Sequence, residues 1–368
     1  MRDRKSRIAI IGGGINGLCI GWELAKAGHE VVIFERDTIV AHTSSASSKL
    51  LHGGLRYLEN GEFRLVREAL RERQAWFQRA PHLAKPLQLT LPIYDRSRRR
   101  RHLVGIGLRL YDWLAGTNST ARHQWLDRPT TIARHPQLKT DGLRGAFQFW
   151  DGQMDDRSLG RWVAEQSGLA GAVIHEQAPV TCIDTAGNLS LASGAEYAFD
   201  QIINAAGPWS RHLLRCNAIP SRYDLDLVRG SHIVLNKPCM AAYLLEAEKS
   251  RRLFFVLPWQ QGTLVGTTEV RETYADGTEP KAPAPSVEEI DYLLAAYHHY
   301  FTETVAAADL RETFAGLRPL VKSAADPSRA TREYVLERRG QLITVFGGKW
   351  TTACALARKV RHLVEAPH

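Results

Sequence analysis

The spacing of apolar residues near the start of the chain changes twice over a short span. Ile8 to Ile11 form a continuous apolar run, the stretch from Leu18 to Ala27 has helical spacing and ends at Gly28, and Val31 to Phe34 form a second run. Short continuous runs are typical of buried strands, whereas the middle spacing is typical of a helix. The pattern predicts a β-α-β unit and an α/β fold.

Periodicity also predicts elements outside this unit. The segments 62–79 and 287–301 each place apolar residues on one helical face, and Ser286 and Glu289 form a capping box ahead of the second segment. Three further runs are typical of strands: LVRGSHIVL (227–235), RLFFVLP (252–258) and GTLVGTT (262–268). We therefore expect a second, α+β unit built on a mostly antiparallel sheet that floors a substrate pocket.

A glycine-rich turn joins the first predicted strand to its helix. Gly12, Gly14 and Gly17 form a G-x-G-x-x-G pattern, and Glu35 closes the second strand. Glycines allow a tight turn and a close approach to a pyrophosphate, whose charge is stabilised at a helix N-terminus. An acid in the position of Glu35 accepts hydrogen bonds from a ribose and disfavours a 2′-phosphate. The motif predicts a site for FAD or NAD.

Two later segments favour FAD over NAD. QIINAAGPWS (201–210) predicts a late strand of the same sheet that leaves it near the cofactor at Gly207; an ordinary strand and turn is the alternative. Leu342 to Phe346 predict another strand, followed by a Gly347-Gly348 turn that opens a helix beside Lys349. Such a helix start suits a negatively polarised flavin edge. Their separation from the first motif by most of the chain favours a discontinuous FAD domain over a compact NAD module.

Charge and composition narrow the class of partner. The 48 Lys and Arg residues outnumber the 39 Asp and Glu residues, which gives a net charge of +9 and favours an anionic partner: a phosphorylated metabolite, a nucleotide, a nucleic acid or an anionic membrane. The five cysteines are scattered without a C-x-x-C pair, so we expect neither a disulfide framework nor a metal site. No apolar run is long enough to span a bilayer, and the charged start is a poor secretory signal. We expect a cytoplasmic protein.

The most specific stretch of the sequence is TSSASSKLLHGGLRYLE (43–59). Together with GGGINGL, EFRLVREAL, APHLA, GPW, RGSHIVL, GLRPL and FGGKWTT, it resembles the FAD-dependent glycerol-3-phosphate dehydrogenases along the whole chain. The resemblance implies oxidation of sn-glycerol 3-phosphate to dihydroxyacetone phosphate by hydride transfer to flavin N5. It also implies that a quinone receives the electrons. Members of that family continue into a C-terminal helical domain, so the resemblance implies a short form and leaves a homodimer open.

The hydroxyl-rich stretch suits the cofactor chemically. Its short side chains and backbone groups can donate to the FAD diphosphate and ring edge, and its glycines permit close approach to the ring. A serine-rich surface loop is the alternative. The residues expected to contact FAD are Gly12, Gly14, Ile15, Asn16, Gly17, Glu35, Thr43, Ser44, Ser45, Ser47, Ser48, Lys49, Gly53, Gly54, Val180, Gly207, Gly348, Lys349 and Thr351.

The resemblance also implies the substrate site. Arg318 and Arg332 would bind the phosphate, because guanidinium groups bind phosphate bidentately and stay charged; the alternative is that they are surface arginines. His232 is the first candidate for the base that removes the hydroxyl proton, although a buried core histidine is the alternative. The predicted catalytic residues are His232, Arg318, Lys349 and Arg56, and the predicted substrate-binding residues are Arg56, Tyr57, His232, Arg318, Arg332 and Lys349.

One basic segment bears on location. RSRRRRHLVGIGLRLYDWLAG, which begins at Arg96, combines an arginine cluster with an apolar helix that carries Trp113. Such a combination is typical of an interfacial anchor, so 96–115 predicts peripheral contact with the cytoplasmic face of a membrane. A core helix beside a solvated loop is the alternative. We do not expect nucleic-acid binding, because no aromatic residues interleave the arginines.

These observations combine into one expected organisation. We expect a discontinuous Rossmann-like FAD-binding domain from 1–75, 150–213 and 330–368, and a substrate domain from 76–149 and 214–329. Two other functions remain open: a related FAD-dependent enzyme of an amino acid or 2-hydroxy acid, and a subunit that binds FAD without turnover. A carboxylate substrate calls for one arginine with a tyrosine, and intact Arg318, His232 and Lys349 weigh against the non-catalytic subunit.

Overall fold

The computed structural model describes residues 5–116, 120–248, 252–275, 277–322 and 334–366. The strands are β1 Arg7–Ile11, β2 Glu30–Phe34, β3 Leu50–Leu51, β4 Ala84–Tyr94, β5 Gln124–Asp127, β6 Leu143–Met154, β7 Val173–His175, β8 Val180–Ile183, β9 Asn188–Leu191, β10 Glu196–Ala198, β11 Gln201–Asn204, β12 Asp224–Leu235, β13 Ala242–Glu246, β14 Leu253–Trp259, β15 Gly262–Gly266, β16 Val270–Glu272, β17 Leu310–Lys322, β18 Tyr334–Arg339 and β19 Leu342–Gly347. The helices are α1 Ile15–Lys26, α2 Phe63–Arg79, α3 Arg101–Ala115, α4 Arg128–Arg134, α5 Asp156–Leu169, α6 Ser210–Cys216, α7 Val287–Tyr300 and α8 Ala353–Glu365.

The predicted β-α-β unit forms the centre of a six-stranded sheet with the order β18-β19-β11-β1-β2-β7. β1 is parallel to both neighbours, with Ile10 opposite Ile33 of β2 and Ile203 of β11. Apolar residues of α1, α5 and α8 share one core with this sheet, and the small sheet β8–β10 packs on its other face. Two covered faces explain why these strands are continuous apolar runs. The Rossmann-like expectation is confirmed.

The second sheet has ten strands and is mostly antiparallel, as expected. β12 pairs with β17 from Asp224↔Lys322 to Leu235↔Leu310, and β4 pairs with β6 along nearly its whole length. The contact between β13 and β4 is parallel. α7 packs on one face of this sheet, and α2 and α3 share the apolar core of the other face. The predicted capping box is present, because Ser286 Oγ accepts from Glu289 N and Glu289 Oε2 accepts from Ser286 N.

The C-terminal helix begins later than expected. Gly347 and Gly348 have φ of +83° and +108°, so the chain turns sharply after β19. Residues 349–352 form a turn, and α8 begins only at Ala353. The expectation that the glycine pair opens a helix is therefore wrong, because a left-handed backbone cannot continue into a right-handed helix. The domain boundaries stay a prediction.

Candidate active site

A cavity of about 600 Å³ lies at the carboxyl ends of the central parallel strands. Its wall includes Gly12 after β1, Glu35 after β2, Ala205 after β11 and Gly348 after β19. Gly12 has a φ of +108°, and a Cβ there would lie 2.7 Å from the carbonyl oxygen of Ala205. This glycine is therefore required for the close packing of two strand ends, in the place where open parallel sheets bind their ligands.

Glu35 holds the glycine loop through a direct hydrogen bond to its backbone. Its Oε2 accepts a hydrogen bond from Gly13 N at 2.6 Å, and its Oε1 accepts from Asp37 N at 2.9 Å. Ligand atoms of Glu35, Asp37 and His42 lie within 4.8 Å of one another, the one such metal-sized group among the described residues. Because both Glu35 oxygens already accept backbone hydrogen bonds, we assign the cluster to the shape of the loop rather than to a cation.

Two buried polar atoms in side chains of the cavity wall lack a hydrogen-bond partner among the described residues. Asn16 Oδ1 and Lys349 Nζ are buried and have no hydrogen bond with any described residue. Buried polar atoms are normally satisfied, so both indicate a polar ligand. The start of α1 is also in the wall, and its backbone N–H groups suit a diphosphate. The wall thus fits a dinucleotide in shape, polarity and size.

The side chains of the hydroxyl-rich stretch do not all face the large cavity. Thr43 and Ser44 line the large cavity, and Ser44 Oγ accepts from Ile15 N at 3.0 Å. Ser45 Oγ donates to the carbonyl oxygens of Ala41 and His42 instead. These contacts make the stretch a scaffold for the loop as well as a wall of the cavity.

Ser47 and Lys49 turn away from the large cavity. Asp156, which is fully buried, accepts from Ser47 Oγ and from Lys49 Nζ, both at 2.7 Å. Lys49 has a φ of +59°, a conformation that is unusual for a side chain with a Cβ. The ammonium group is thus held by a buried carboxylate at the start of α5, and the expected contact between Lys49 and FAD stays a prediction.

The other expected FAD contacts also divide between the wall of the large cavity and positions outside it. The residues that line the large cavity are Gly12, Gly14, Ile15, Asn16, Glu35, Thr43, Ser44, Val180, Gly207, Gly348 and Lys349. Gly17 lies behind the loop, where a Cβ would lie 2.0 Å from the carbonyl oxygen of Gly12. Thr351 is buried and its hydroxyl donates weakly to the carbonyl oxygen of His52 at 3.4 Å. Gly53 packs against Tyr111.

A second, smaller cavity of about 160 Å³ contains three of the six expected substrate residues. Arg56, Tyr57 and Arg318 are in its wall, although Arg318 is far from the other two in the sequence. Arg332 lies outside the described residues. The side chains that sequence analysis did not single out there include His52, Asp151, Arg252, Thr267 and Glu269.

Arginines dominate the charge of this small cavity. Arg318 Nη2 donates to the carbonyl oxygen of Thr268 at 2.6 Å, and its Nη1 lies 3.7 Å from Glu269. Glu269 also pairs with Arg252 at 3.2 Å. Arg56 has no carboxylate within ion-pair distance in the described part of the chain. Three guanidinium groups thus face two carboxylates, Asp151 and Glu269, which leaves net positive charge for an anion.

His232 lies behind the small cavity rather than in its wall. Its Nε2 is 2.9 Å from Ser48 Oγ, which does line the cavity, and its ring stacks on Phe314. Nδ1 is buried without a partner among the described residues. Burial, reinforced by the charges of Arg318 and Lys49, lowers the pKa of His232 from its ordinary value to about 3. The imidazole is therefore neutral and reaches the cavity through Ser48.

His52 is the histidine in the wall of the small cavity. Burial lowers its pKa, while the charge of Asp151 raises it and the charges of Lys349 and Arg56 lower it. It is therefore neutral near neutral pH and open to a ligand. Its place between the hydroxyl-rich run and the Gly53-Gly54 pair was the sequence signal for it, since strand ends and turns commonly hold functional groups.

A glycine loop with a cavity sized for a dinucleotide, next to a small cationic cavity with a neutral histidine, defines a dinucleotide-dependent oxidoreductase. The chain belongs to the FAD-dependent oxidoreductase family, whose model, described as FAD dependent oxidoreductase, matches residues 7–363. FAD is its cofactor, and the resemblance seen in the sequence is confirmed.

Two curated relatives illustrate the similarity. A glycerol-3-phosphate dehydrogenase of Pseudomonas aeruginosa is 37% identical over 95% of this chain and 70% of the relative. A D-erythritol 1-phosphate dehydrogenase of Brucella abortus is 36% identical over 97% of this chain and 73% of the relative. The chain thus spans about seven tenths of these relatives' length.

Solved structures support the same fold. A glycerol-3-phosphate dehydrogenase from Bacillus halodurans, complexed with FAD, has a TM-score of 0.76 at 24% identity, and the match covers 99% of this chain and 65% of that one. An L-alpha-glycerophosphate oxidase from Mycoplasma pneumoniae, with FAD bound, has a TM-score of 0.75 at 16% identity over 99% of this chain and 96% of that one. At these identities the likeness concerns the fold alone.

Among the described residues, no helix has both the length and the apolar character that a bilayer-spanning segment requires.

Proposed function

We propose that this protein oxidises sn-glycerol 3-phosphate to dihydroxyacetone phosphate. The observation that carries the proposal is the small cavity in which Arg56, free of any ion pair with the described residues, faces the same space as Arg318. A phosphate offers three oxygens to two guanidinium groups, whereas a carboxylate offers only two. The names of the two curated relatives, which both specify phosphorylated polyols, support the same substrate class.

The residues of the small cavity divide the work between binding and proton transfer. Arg56 and Arg318 bind the phosphate and thereby orient the carbon chain. Arg332, suggested by the family resemblance, is a further phosphate ligand in this proposal. Tyr57 lies with its ring under Lys349 Nζ at 4.1 Å and closes the cavity on the side of the cofactor. When bound, FAD supplies the acceptor for the hydride that leaves the substrate carbon.

The hydroxyl proton of the substrate goes to a histidine. We assign it to His52, because this side chain is in the cavity wall and its imidazole is neutral. A general base must come within hydrogen-bond reach of the proton that it removes. His232, the first candidate from sequence, has its Nε2 engaged by Ser48. In this proposal it orients the Ser48 hydroxyl toward the substrate instead.

Lys349 is the third charged contributor. Its ammonium group is buried without a hydrogen-bond partner among the described residues, and its side chain is in the wall of the large cavity. A cation in that position stabilises negative charge that develops on the substrate oxygen or on the reduced cofactor. Lys349 therefore assists both the loss of the substrate hydroxyl proton and the transfer of hydride to the cofactor.

The test is anaerobic bleaching of the flavin band near about 450 nm, the band of bound oxidised flavin. We expect bleaching by sn-glycerol 3-phosphate and none by glycerol, D-amino acids or 2-hydroxy acids. Erythritol 1-phosphate is included as the longer polyol phosphate. Bleaching by an amino acid or a hydroxy acid, or none by any polyol phosphate in protein that holds FAD, overturns the proposal.

The electron acceptor is proposed to be a quinone, which this protein reaches from the cytoplasmic face of a membrane. Leu103, Ile106 and Trp113 of α3 are 59%, 62% and 74% exposed, and they follow one another along one side of the helix. The exposed Arg96, Arg98, Arg100 and Arg101 adjoin its N-terminus. Exposed apolar residues beside a basic cluster favour the interface of an anionic bilayer.

A further inference from the structure

Asp151 is a buried carboxylate, 3% exposed, with three donors on one oxygen. Its Oδ1 accepts from Tyr111 OH at 2.7 Å, from Arg73 Nη1 at 2.8 Å and from Gly53 N at 2.9 Å. The donors come from α3, from α2 and from the turn that follows β3. This cluster fixes the carboxylate in one orientation, because each donor restrains the same atom.

The other oxygen of Asp151 remains available. No described residue donates a hydrogen bond to Oδ2, and this atom is not fully buried. Asp151 is in the wall of the small cavity. Oδ2 is thus open to the cavity. An ionised carboxylate accepts several hydrogen bonds, so this oxygen has capacity for a donor in the cavity.

The strand register brings His52 beside Asp151, and the two side chains share the wall of the small cavity without a hydrogen bond between them. β3 and β6 are antiparallel, with Leu50 opposite Gln153 and Leu51 opposite Gly152. One step further along the same register, His52 comes opposite Asp151. Opposite residues of an antiparallel pair project to the same face with Cβ atoms about 5 Å apart. The hydrogen bond from Gly53 N to Asp151 Oδ1 ties the two chains together at that point.

We propose that Asp151 is a positioning residue: in the substrate complex its free oxygen accepts the N–H of the His52 imidazole and so presents the second, unprotonated ring nitrogen to the substrate hydroxyl. The proposal rests on the proposed function and on His52 as proton acceptor. During turnover the substrate O–H bond breaks and its proton passes to that nitrogen, while Asp151 stays ionised and stabilises the imidazolium. The C–H bond breaks with loss of hydride to the cofactor, which balances the oxidation.

Asp151 also has a structural role that the test must separate. The Arg73–Asp151 pair is buried on both sides, and removal of one partner of such a pair is destabilising. Glu72 of α2 is a matched control, because it is also a buried carboxylate that pairs with an arginine, Arg358, and it is outside both cavities. Asp151→Asn and Glu72→Gln thus make the same chemical change, from a buried carboxylate to an amide.

The experiment measures anaerobic flavin reduction by sn-glycerol 3-phosphate in the holoprotein across a range of pH. We expect Asp151→Asn to retain FAD and to reduce it at least about tenfold more slowly, whereas Glu72→Gln keeps the wild-type rate. The charged groups that face His52 are Asp151, Lys349 and Arg56. Because Asp151 raises the pKa of His52, its loss also moves the acid limb of the pH profile to lower pH.

A double-variant comparison separates positioning from general damage. If Asp151 acts through His52, Asp151→Asn slows wild type but slows His52→Gln no further. Asp151→Glu is the second variant for the case in which the Asn protein does not accumulate. It retains the charge, so we expect a slower rate with the acid limb unchanged.

Three results overturn the inference: an unchanged rate in Asp151→Asn, an equal loss in Glu72→Gln, or additive losses in the double variant. If wild type itself fails to bleach with sn-glycerol 3-phosphate, the proposed function falls and this inference falls with it. If wild type bleaches and Asp151→Asn matches it, only the inference fails.

Discussion

Lys349 Nζ lies 4.1 Å from the centre of the Tyr57 ring. Lys349 is in the wall of the large cavity and Tyr57 in the wall of the small one, so this cation–π contact marks the boundary between them. The contact stabilises the ammonium group without using its N–H donors. The N–H donors of Lys349 therefore remain available to a ligand in the large cavity.

Lys349→Met is expected to slow flavin reduction by at least about tenfold while most of the FAD stays bound. The reason is that methionine fills the space of the lysine but cannot stabilise developing negative charge. Rapid anaerobic mixing with sn-glycerol 3-phosphate measures the rate. The control is Lys359→Met, which removes a partly exposed lysine of α8 that pairs with Glu68 of α2. This variant should leave the rate of flavin reduction unchanged. Equal rates in wild type and Lys349→Met would contradict the role of Lys349.

Arg318→Lys is expected to raise the KM for the phosphorylated substrate about tenfold or more, with FAD binding unchanged. Lysine keeps the charge but loses the planar fork that binds phosphate bidentately. Steady-state kinetics with an artificial electron acceptor measure the KM. Arg311→Lys, on the same strand, removes contacts with the carbonyl oxygens of Trp259 and Gln260 only and is the control. An unchanged KM in Arg318→Lys would exclude it from the phosphate site.

Gly348→Ala is expected to weaken FAD binding by at least about tenfold. A Cβ on Gly348 would lie 2.3 Å from Asn16 Nδ2, and the Oδ1 of the same amide is one of the two buried atoms in the large cavity without a partner among the described residues. Gly171→Ala imposes a similar backbone strain, since its φ of +104° matches the +108° of Gly348, but its Cβ meets no atom within 4 Å. Titration of apoprotein with FAD measures both. Equal losses would assign the effect to strain.

Stability is expected to fall between about pH 6.5 and pH 4 because of His232. Its pKa is lowered in the folded protein from 6.5 to about 3. In that interval the unfolded chain binds a proton that the folded protein excludes, so the free energy of unfolding rises with pH and is lost as pH falls. The contribution is on the order of 3 kcal/mol. Urea unfolding of wild type and His232→Gln measures it, with exposed His102→Gln as the control. If the free energy of unfolding of His232→Gln depended on pH as that of wild type does, the assignment of this effect to His232 would be wrong.

The apolar side of α3 is expected to bind anionic vesicles. Ile106→Ser combined with Trp113→Ser removes two exposed apolar side chains and should abolish flotation with phosphatidylglycerol vesicles while flavin reduction persists. Met240→Ser, at a site that is 89% exposed, is the matched control for the loss of an apolar surface residue. Retention of binding in the double variant would direct attention to another surface.

Sequence patterns predicted the fold well in segments where the apolar residues follow one clear periodicity, either that of a helix or that of a strand. The β-α-β unit, the capping box at Ser286 and the antiparallel strands around His232 all follow from short-range chemistry. The start of α8 did not, because the left-handed turn at Gly348 depends on how its main chain packs against Asn16. A glycine pair before an apolar stretch has the same sequence whether the helix begins at once or after a turn.

The site residues also fall into those that the sequence predicted and those that it did not. Arg56, Tyr57 and Arg318 were predicted from chemistry and resemblance, and the fold brings them to one cavity. His52 and Asp151 were missed because their relation depends on the pairing of β3 with β6, which joins residues far apart in sequence. Long-range pairing of this kind has no periodic signal. Lys49, by contrast, has the sequence context of a ligand-binding lysine but is held by Asp156.

Tyr111 gives α3 two distinct connections. One side of the helix presents Ile106 and Trp113 to the outside, and on its buried side the Tyr111 hydroxyl donates to Asp151. The helix, about 10 Å across with its side chains, is all that lies between the two. If α3 rests on lipid, the Asp151 carboxylate therefore lies one helix away from the bilayer. Any displacement of α3 by the bilayer then strains the hydrogen bond between Tyr111 and Asp151, so detergent or lipid composition becomes a variable in the measured turnover.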